Sequence, residues 1–227
     1  MLSKKSKDTK VLKEENQKIE DESYWTHRVK DDPRLDWRNG ESNWIEGYEK
    51  STKHPHRQMI LDVLKLFKPI KSILEIGCNA GPNLMRIKKQ YPKARLTGID
   101  VNKDAIEHAQ IFIPKATLAV TSAVKLPFKN DEFDIVLADA VLMYVNSKKI
   151  NTVLDEMARV TKKAIILVEW YNPYSIRSTI QDFHWCHNYY ELLKTRGFSI
   201  SMTKIPDEIW PSKNWQQWGW LFVAHHQ

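Results

Sequence analysis

The 227-residue sequence has only two cysteines, Cys78 and Cys186, far apart in the chain. That excludes a disulfide framework and a four-cysteine zinc site, and it fits a reducing compartment. No apolar run approaches the length of about 18 residues that would read as a membrane span. The opening MLSKKSKDTK has no apolar stretch behind it, so no secretory signal is expected. There is no block of Lys and Arg interleaved with aromatics, the usual footprint of a nucleic-acid binder. What is present is ordinary: 42% hydrophobic and 28% charged residues, a balance that argues against bulk disorder, collagen or coiled coil. The expectation is a cytoplasmic protein with one packed domain of about 200 residues and a tail.

The net charge of +7 is unevenly placed. Residues 1–50 carry a balance of −1 and residues 51–227 a balance of +8. The excess comes as single residues such as Lys65, Lys71, Arg86 and Lys93, among apolar positions at helical spacing. This reads as solvated helix faces, not a polyanion-binding surface.

Residues 1–22 have almost no apolar anchor and read as a disordered or frayed tail. Residues 23–53 differ, with Tyr24, Trp25, Trp37, Trp44 and Tyr48 among charges, and read as an ordered N-terminal cap. From residue 54 the periodicity is regular. Pro55 suits the first turn of a helix that carries Met59, Ile60, Val63 and Leu64 on one face. Strands are expected over 72–76, 95–99, 117–120, 133–138 and 164–169, with helices over 82–90, 104–112 and 150–160. Alternation of this kind implies βαβ units and a parallel sheet. Later come a helix near 188–194 closed by Gly197, then strands over 198–205 and 218–224, expected to pair antiparallel.

The informative stretch is ILEIGCNAGPN, residues 73–83. A strand ends at Gly77, which permits a tight turn and close approach to a ligand. Gly81 and Pro82 then open a helix, whose N-terminus offers free N–H groups. Asp100 follows 23 residues after Gly77, at the end of the next strand. An acidic side chain there can accept both hydroxyls of an adenosine ribose, or it can cap the helix that follows. A dinucleotide fingerprint wants glycine at position 79, where this chain has Asn.

With Glu75 two residues before Gly77, the loop resembles the E/D-x-G-x-x-x-G motif of class I S-adenosylmethionine-dependent methyltransferases. The likeness continues in order through SAVKLPF (122–128), FDIV (133–136), ADAVLMYV (138–145) and LDEMARV (154–160). It implies a Rossmann-like, doubly wound, mostly parallel seven-stranded sheet with an antiparallel last strand and helices on both faces. It divides the chain into the tail, the cap and a methyltransferase domain over 54–227, with an acceptor-side insertion at about 170–197. By position, the resemblance assigns Glu75, Gly77, Cys78, Asn79, Gly81, Asp100, Val101, Ser122, Ala123, Asp139 and Ala140 to S-adenosylmethionine, the product being S-adenosylhomocysteine. Ser122 departs from the family, which usually has Asp there.

The resemblance and the aromatic distribution together suggest what is methylated. Base methyltransferases often carry Asp/Asn-Pro-Pro-Tyr/Phe after strand four, where this chain reads Asp139-Ala140-Val141-Leu142. All nine tryptophans lie at 25–44 or 170–220, outside the cofactor stretch. Ligands of such sheets bind at the carboxyl ends of the strands. The cap and the segment after strand five could therefore wall an acceptor pocket, with Trp44, Tyr48, Tyr144, Tyr171 and Trp185 as the named wall. His184, His187 and Tyr144 are candidate general bases. His184 and His187, spaced i,i+3, could share a helix face, but no further ligand is spaced for a metal. The expected reaction is methylation of an oxygen or nitrogen of a small molecule. Methylation of RNA or protein, and a non-catalytic cofactor-binding module acting through a partner, are the alternatives. Nucleic acid is disfavoured, no membrane partner is expected, and the oligomeric state stays open.

Overall fold

The computed structural model describes residues 22–28, 47–48, 50–175, 178–181 and 184–226. Nearly all of the expected tail and most of the cap, Trp37 and Trp44 included, lie outside the described residues. A short helix, α1 (Glu22–Thr26), stands before the regular fold. Then come α2 (His56–Leu64), β1 (Ser72–Ile76), α3 (Pro82–Gln90), β2 (Arg95–Asp100), α4 (Lys103–Phe112) and β3 (Thr117–Val120). The second half holds β4 (Phe133–Asp139), α5 (Ile150–Val160), β5 (Thr161–Trp170), β6 (Thr179–Gln181) and β7 (His184–Cys186). It closes with α6 (Tyr189–Lys194), β8 (Ser199–Lys204), α7 (Lys213–Trp218) and β9 (Gly219–His225).

Seven strands form one sheet in the order β3-β2-β1-β4-β5-β9-β8. β1 through β5 are mutually parallel, because each is reached through a connection long enough to cross over the sheet. β9 runs antiparallel to both β5 and β8, so β8 points the same way as β1 to β5 and the last strand alone opposes the rest. The chain reaches the edge with β8 before returning to fill the place beside β5. Two elements absent from the sequence reading sit in this region. One is the β6–β7 hairpin, a separate two-stranded sheet. The other is α7, in the Pro- and Trp-containing connection.

The apolar periodicity explains the layers. β1 and β4 are buried along almost their whole length, as expected for strands covered on both faces. Ile60 and Leu64 of α2, Leu84 and Ile87 of α3, Ile106 of α4 and Trp215 of α7 pack on one face. Val153, Leu154 and Met157 of α5 and Tyr189 and Leu193 of α6 pack on the other. From β1 the chain winds outward to β2 and β3, then returns to β4 on the opposite side of β1. That reversal opens a crevice at the carboxyl ends of β1 and β4, beside Gly77 and Asp139.

Candidate cofactor and acceptor site

A cavity of about 980 Å³ lies at that crevice. Gly77, Asn79, Asp100, Val101, Ala123, Asp139 and Ala140 line it, so seven of the eleven residues assigned to the cofactor meet there. Gly77 has φ +63, and a Cβ on it would fall 2.0 Å from Cγ2 of Val141. The tight turn at the end of β1 therefore requires glycine. Asp100 accepts the backbone N–H of Asn79 through Oδ2 and that of Asn102 through Oδ1, each at 2.9 Å. The two bonds hold the carboxylate in place, and each oxygen keeps further acceptor capacity. Burial pushes this carboxyl above its usual range, against the backbone N–H groups of Asn102, Asn79 and Val101.

The other four assigned residues stand off the cavity. Glu75 points into the layer beneath, where its Oε1 accepts Asn83 Nδ2 at 2.7 Å. Burial raises its pKa to about 8, despite the Asn83 hydrogen bond. The Cys78 thiol is buried in the core, and a Cβ on Gly98 would meet its sulfur at 2.7 Å. Gly81 (φ +78) caps α3 and packs against Ile113. The Ser122 hydroxyl accepts the Val124 N–H at 3.2 Å, a local turn bond, and Thr121 lines the cavity instead.

One buried polar cluster underlies the floor. Oδ2 of Asp139 accepts His56 Nε2 (2.9 Å), Arg57 Nη1 (2.8 Å) and Asn83 Nδ2 (2.9 Å). Arg57 also donates to Asn83 Oδ1, to the Ser51 carbonyl and to the Ser51 hydroxyl. Burial alone would raise the Asp139 carboxyl; His56, Arg57 and Asn83 outweigh it and hold the group well below the usual carboxylate range. Its Oδ1 is buried without a hydrogen-bond partner. Arg57 is thus committed to Asp139, Asn83 and Ser51.

Helix α1 closes over the opposite end. Asn102 caps α4 by accepting the Ala105 N–H, and its Nδ2 donates to the carbonyls of Trp25 (2.7 Å) and Arg28 (2.8 Å). One side chain thus starts a helix and pins the cap across the carboxyl end of β2. Trp25 then meets Tyr144 edge to face, with ring centroids 4.9 Å apart.

Tyr144 lies in the turn after β4, which is shaped by a buried acid. Glu169 on β5 accepts the backbone N–H groups of Val141 and Leu142 through Oε1 and of Met143 through Oε2. Burial raises Glu169 to about 8 against those three bonds. Burial also pushes the Tyr144 phenol far above its ordinary value, which favours its neutral form.

The histidine and tryptophan expectations are partly corrected. His184 lines the cavity, touching the rings of Tyr144 and Trp170 at 4.9 and 4.6 Å. It does so from a strand, not a helix, so side chains alternate and His187 cannot share its face. His187 is fully buried; Nε2 donates to the Val145 carbonyl and Nδ1 accepts from Ser178 Oγ. Burial lowers it to about 4, and its role is to tie two segments together. Trp185 stacks on His187, away from the cavity. Tyr171 is likewise corrected: Trp170 and Tyr171 are consecutive and face opposite sides, so Trp170 lines the cavity while Tyr171 packs on Trp220 and Phe222. Tyr48 and Tyr144 line the cavity as expected, and Trp44 lies outside the described residues. The aromatic wall is completed by Trp25, Trp170, Trp210 and Trp215. Of these, Trp210 and Trp215 stack at 3.6 Å. Among the described residues, no group of three His, Cys, Asp or Glu could hold a metal ion.

Residues 73–164 match the family described as "Methyltransferase domain". This segment belongs to the class I S-adenosylmethionine-dependent methyltransferases. The chain is 30% identical over 130 residues to an Arabidopsis thaliana 24-methylenesterol C-methyltransferase 3, covering 54% of this chain and 35% of that protein. It is 23% identical over 154 residues to a Priestia megaterium malonyl-[acyl-carrier protein] O-methyltransferase, covering 66% and 54%. The chain therefore spans between about a third and just over half the length of these curated relatives. Among solved structures it superposes on magnesium protoporphyrin IX methyltransferase from Synechocystis with bound S-adenosylmethionine. The TM-score is 0.61, with 17% identity, over 91% of this chain and 95% of that one. At that identity the likeness shows the fold.

The methyltransferase cofactor suits the groups present. Asp100 offers fixed acceptors to a diol, Gly77 lines the cavity at the end of β1, and Asp139 Oδ1 is a buried acceptor still lacking a donor. An ammonium group would satisfy it.

Proposed function

We propose that this chain transfers a methyl group from S-adenosylmethionine to an oxygen or nitrogen of a small molecule. When bound, the cofactor supplies a methyl already activated on a sulfonium. The protein's contribution is then binding, alignment and exclusion of water. Asp100 would hold the ribose, Val101 and Ala123 would flank the adenine, and Asp139 would take the ammonium.

One observation carries the acceptor reading. Past the Gly77–Asp139 crevice the same cavity continues between Trp25, Tyr144, Trp170, His184, Trp210 and Trp215. The indole N–H groups of Trp25 and Trp170 are buried there without partners. Such a wall suits a flat or apolar molecule carrying polar acceptor atoms. Enclosure by α1 disfavours a polymer, and Arg28 and Arg57 are the only cationic side chains lining the cavity among the described residues. The open volume favours turnover over a non-catalytic module.

Calorimetric titration with S-adenosylmethionine and S-adenosylhomocysteine tests the reading. Binding with a dissociation constant of about 1–100 μM, weakened at least tenfold by Asp100→Ala, supports it. No binding of either compound refutes it. A screen of hydroxyl and amine acceptors, following label from the donor methyl, then names the acceptor.

A further inference from the structure

His54 precedes α2 and His56 opens it. Both line the cavity, as does Asp139. His56 Nε2 lies 2.9 Å from Asp139 Oδ2, and the Nδ1 atoms of His56 and His54 are hydrogen-bonded to each other. The three side chains form a line from a buried carboxylate to the half-buried His54. Trp210 stacks along it, its ring 4.2 Å from that of His56 and 4.7 Å from that of His54.

The proton positions follow from this geometry. A ring nitrogen facing a carboxylate carries the hydrogen, so His56 is protonated at Nε2. When neutral, its Nδ1 must accept, and His54 must donate from its own Nδ1. We propose that Asp139, His56 and His54 form a proton-accepting relay in which His54 is the catalytic base for the methyl acceptor. This deepens the proposed function and rests on it.

The balance is explicit. The acceptor's lone pair forms the bond to the methyl carbon, and the carbon–sulfur bond breaks with its electrons going to sulfur. The acceptor's proton passes to His54 Nε2. The Nδ1 proton of His54 moves to His56 Nδ1, which leaves an imidazolium 2.9 Å from the Asp139 carboxylate. The Trp210 face adds cation–π stabilisation, and the proton later leaves to solvent. Arg57 and Arg86 oppose the cation, and Asp139 favours it. Burial, the largest influence, together with the two arginines, keeps His56 below its ordinary value despite Asp139. Burial therefore favours neutral His56, whose Nδ1 can then accept a proton. His56 and Asp139 act through His54 and are positioning residues.

The test uses the full chain saturated with S-adenosylhomocysteine. Imidazole nitrogen shifts are followed by NMR across pH 5–9, alongside calorimetry. The relay predicts that His54 and His56 titrate together, taking up one proton between them. It predicts that His56 keeps Nε2 protonated throughout, and that His56→Gln moves the His54 midpoint by about half a unit or more. Should His56→Gln fail to fold, His54→Gln at the half-buried position must move the His56 midpoint likewise. Independent titration, or a smaller shift, overturns the relay. Calorimetry separates the other explanation. S-adenosylhomocysteine affinity within about fivefold of wild type in His54→Gln supports the relay, whereas a larger loss makes His54 a cofactor ligand and overturns it. Absence of binding by the wild-type protein would overturn the proposed function and the relay with it. Binding without coupled titration would overturn the relay alone.

Discussion

Replacing Arg57 by Leu strips the Asp139 carboxylate of its permanent positive partner. Both groups are almost wholly buried, with side chains 6% and 5% exposed, so water cannot take over the lost role. Removing one partner of a buried ion pair costs about 3–5 kcal/mol, because the remaining charge is left uncompensated. Arg57 also donates to Asn83 and twice to Ser51, which places the loss toward the upper end. For a chain of this size, about 2–4 °C per kcal/mol converts the loss to a fall in Tm of about 6–20 °C. Urea unfolding followed by tryptophan fluorescence reads the free energy directly. The double variant Arg57→Leu/Asp139→Asn should recover a large part of it, since no buried charge remains. The sign with pH is also fixed. Asp139 is held below its ordinary value of 3.8 in the folded protein, so its contribution is present above that value and lost as pH falls through the folded pKa. In Arg57→Leu the carboxyl protonates at higher pH, so the gap from wild type should narrow as pH drops toward 4. A single-variant loss below about 1 kcal/mol, or a double variant no more stable than the single, would refute the buried-charge account.

Three further outcomes follow from the same structure. Glu75 has a folded pKa near 8, raised from 4.5, so the folded state holds the proton more tightly. Stability should fall as pH rises from about 5 to 8, Glu75 contributing up to about 1.4 kcal/mol per unit, and Glu75→Gln should remove that share of the slope in urea titrations while the share of Glu169 remains. Asn102→Ala should cost about 1 kcal/mol as a lost helix cap and also free α1, seen as faster proteolysis around residues 22–28. Gly77→Ala should cost about 2–4 kcal/mol, since the new methyl overlaps Val141 at positive φ, and should abolish S-adenosylhomocysteine binding by calorimetry.

Local pattern determined much of this molecule. The bounds of α3, β3 and α5 are readable from apolar spacing and from Pro82, because helix and strand periods are properties of neighbouring residues. Gly77, Asn79 and Asp100 could be placed at one end of the sheet because parallel strands present all their carboxyl ends together. The hairpin of β6 and β7 left no such trace. Its strands of three residues are too short for a period, and that alone turned His187 and Trp185 away from the cavity. The insertion of β9 between β5 and β8 depends on pairing between distant segments, to which single-segment pattern is blind. The polar floor is of the same kind. Arg57 and Asp139 stand 82 residues apart, and only the folded chain brings them to 2.8 Å. A buried charge announces itself in sequence as an ordinary arginine or aspartate. What makes it part of a site is the absence of water around it, and that is decided by packing.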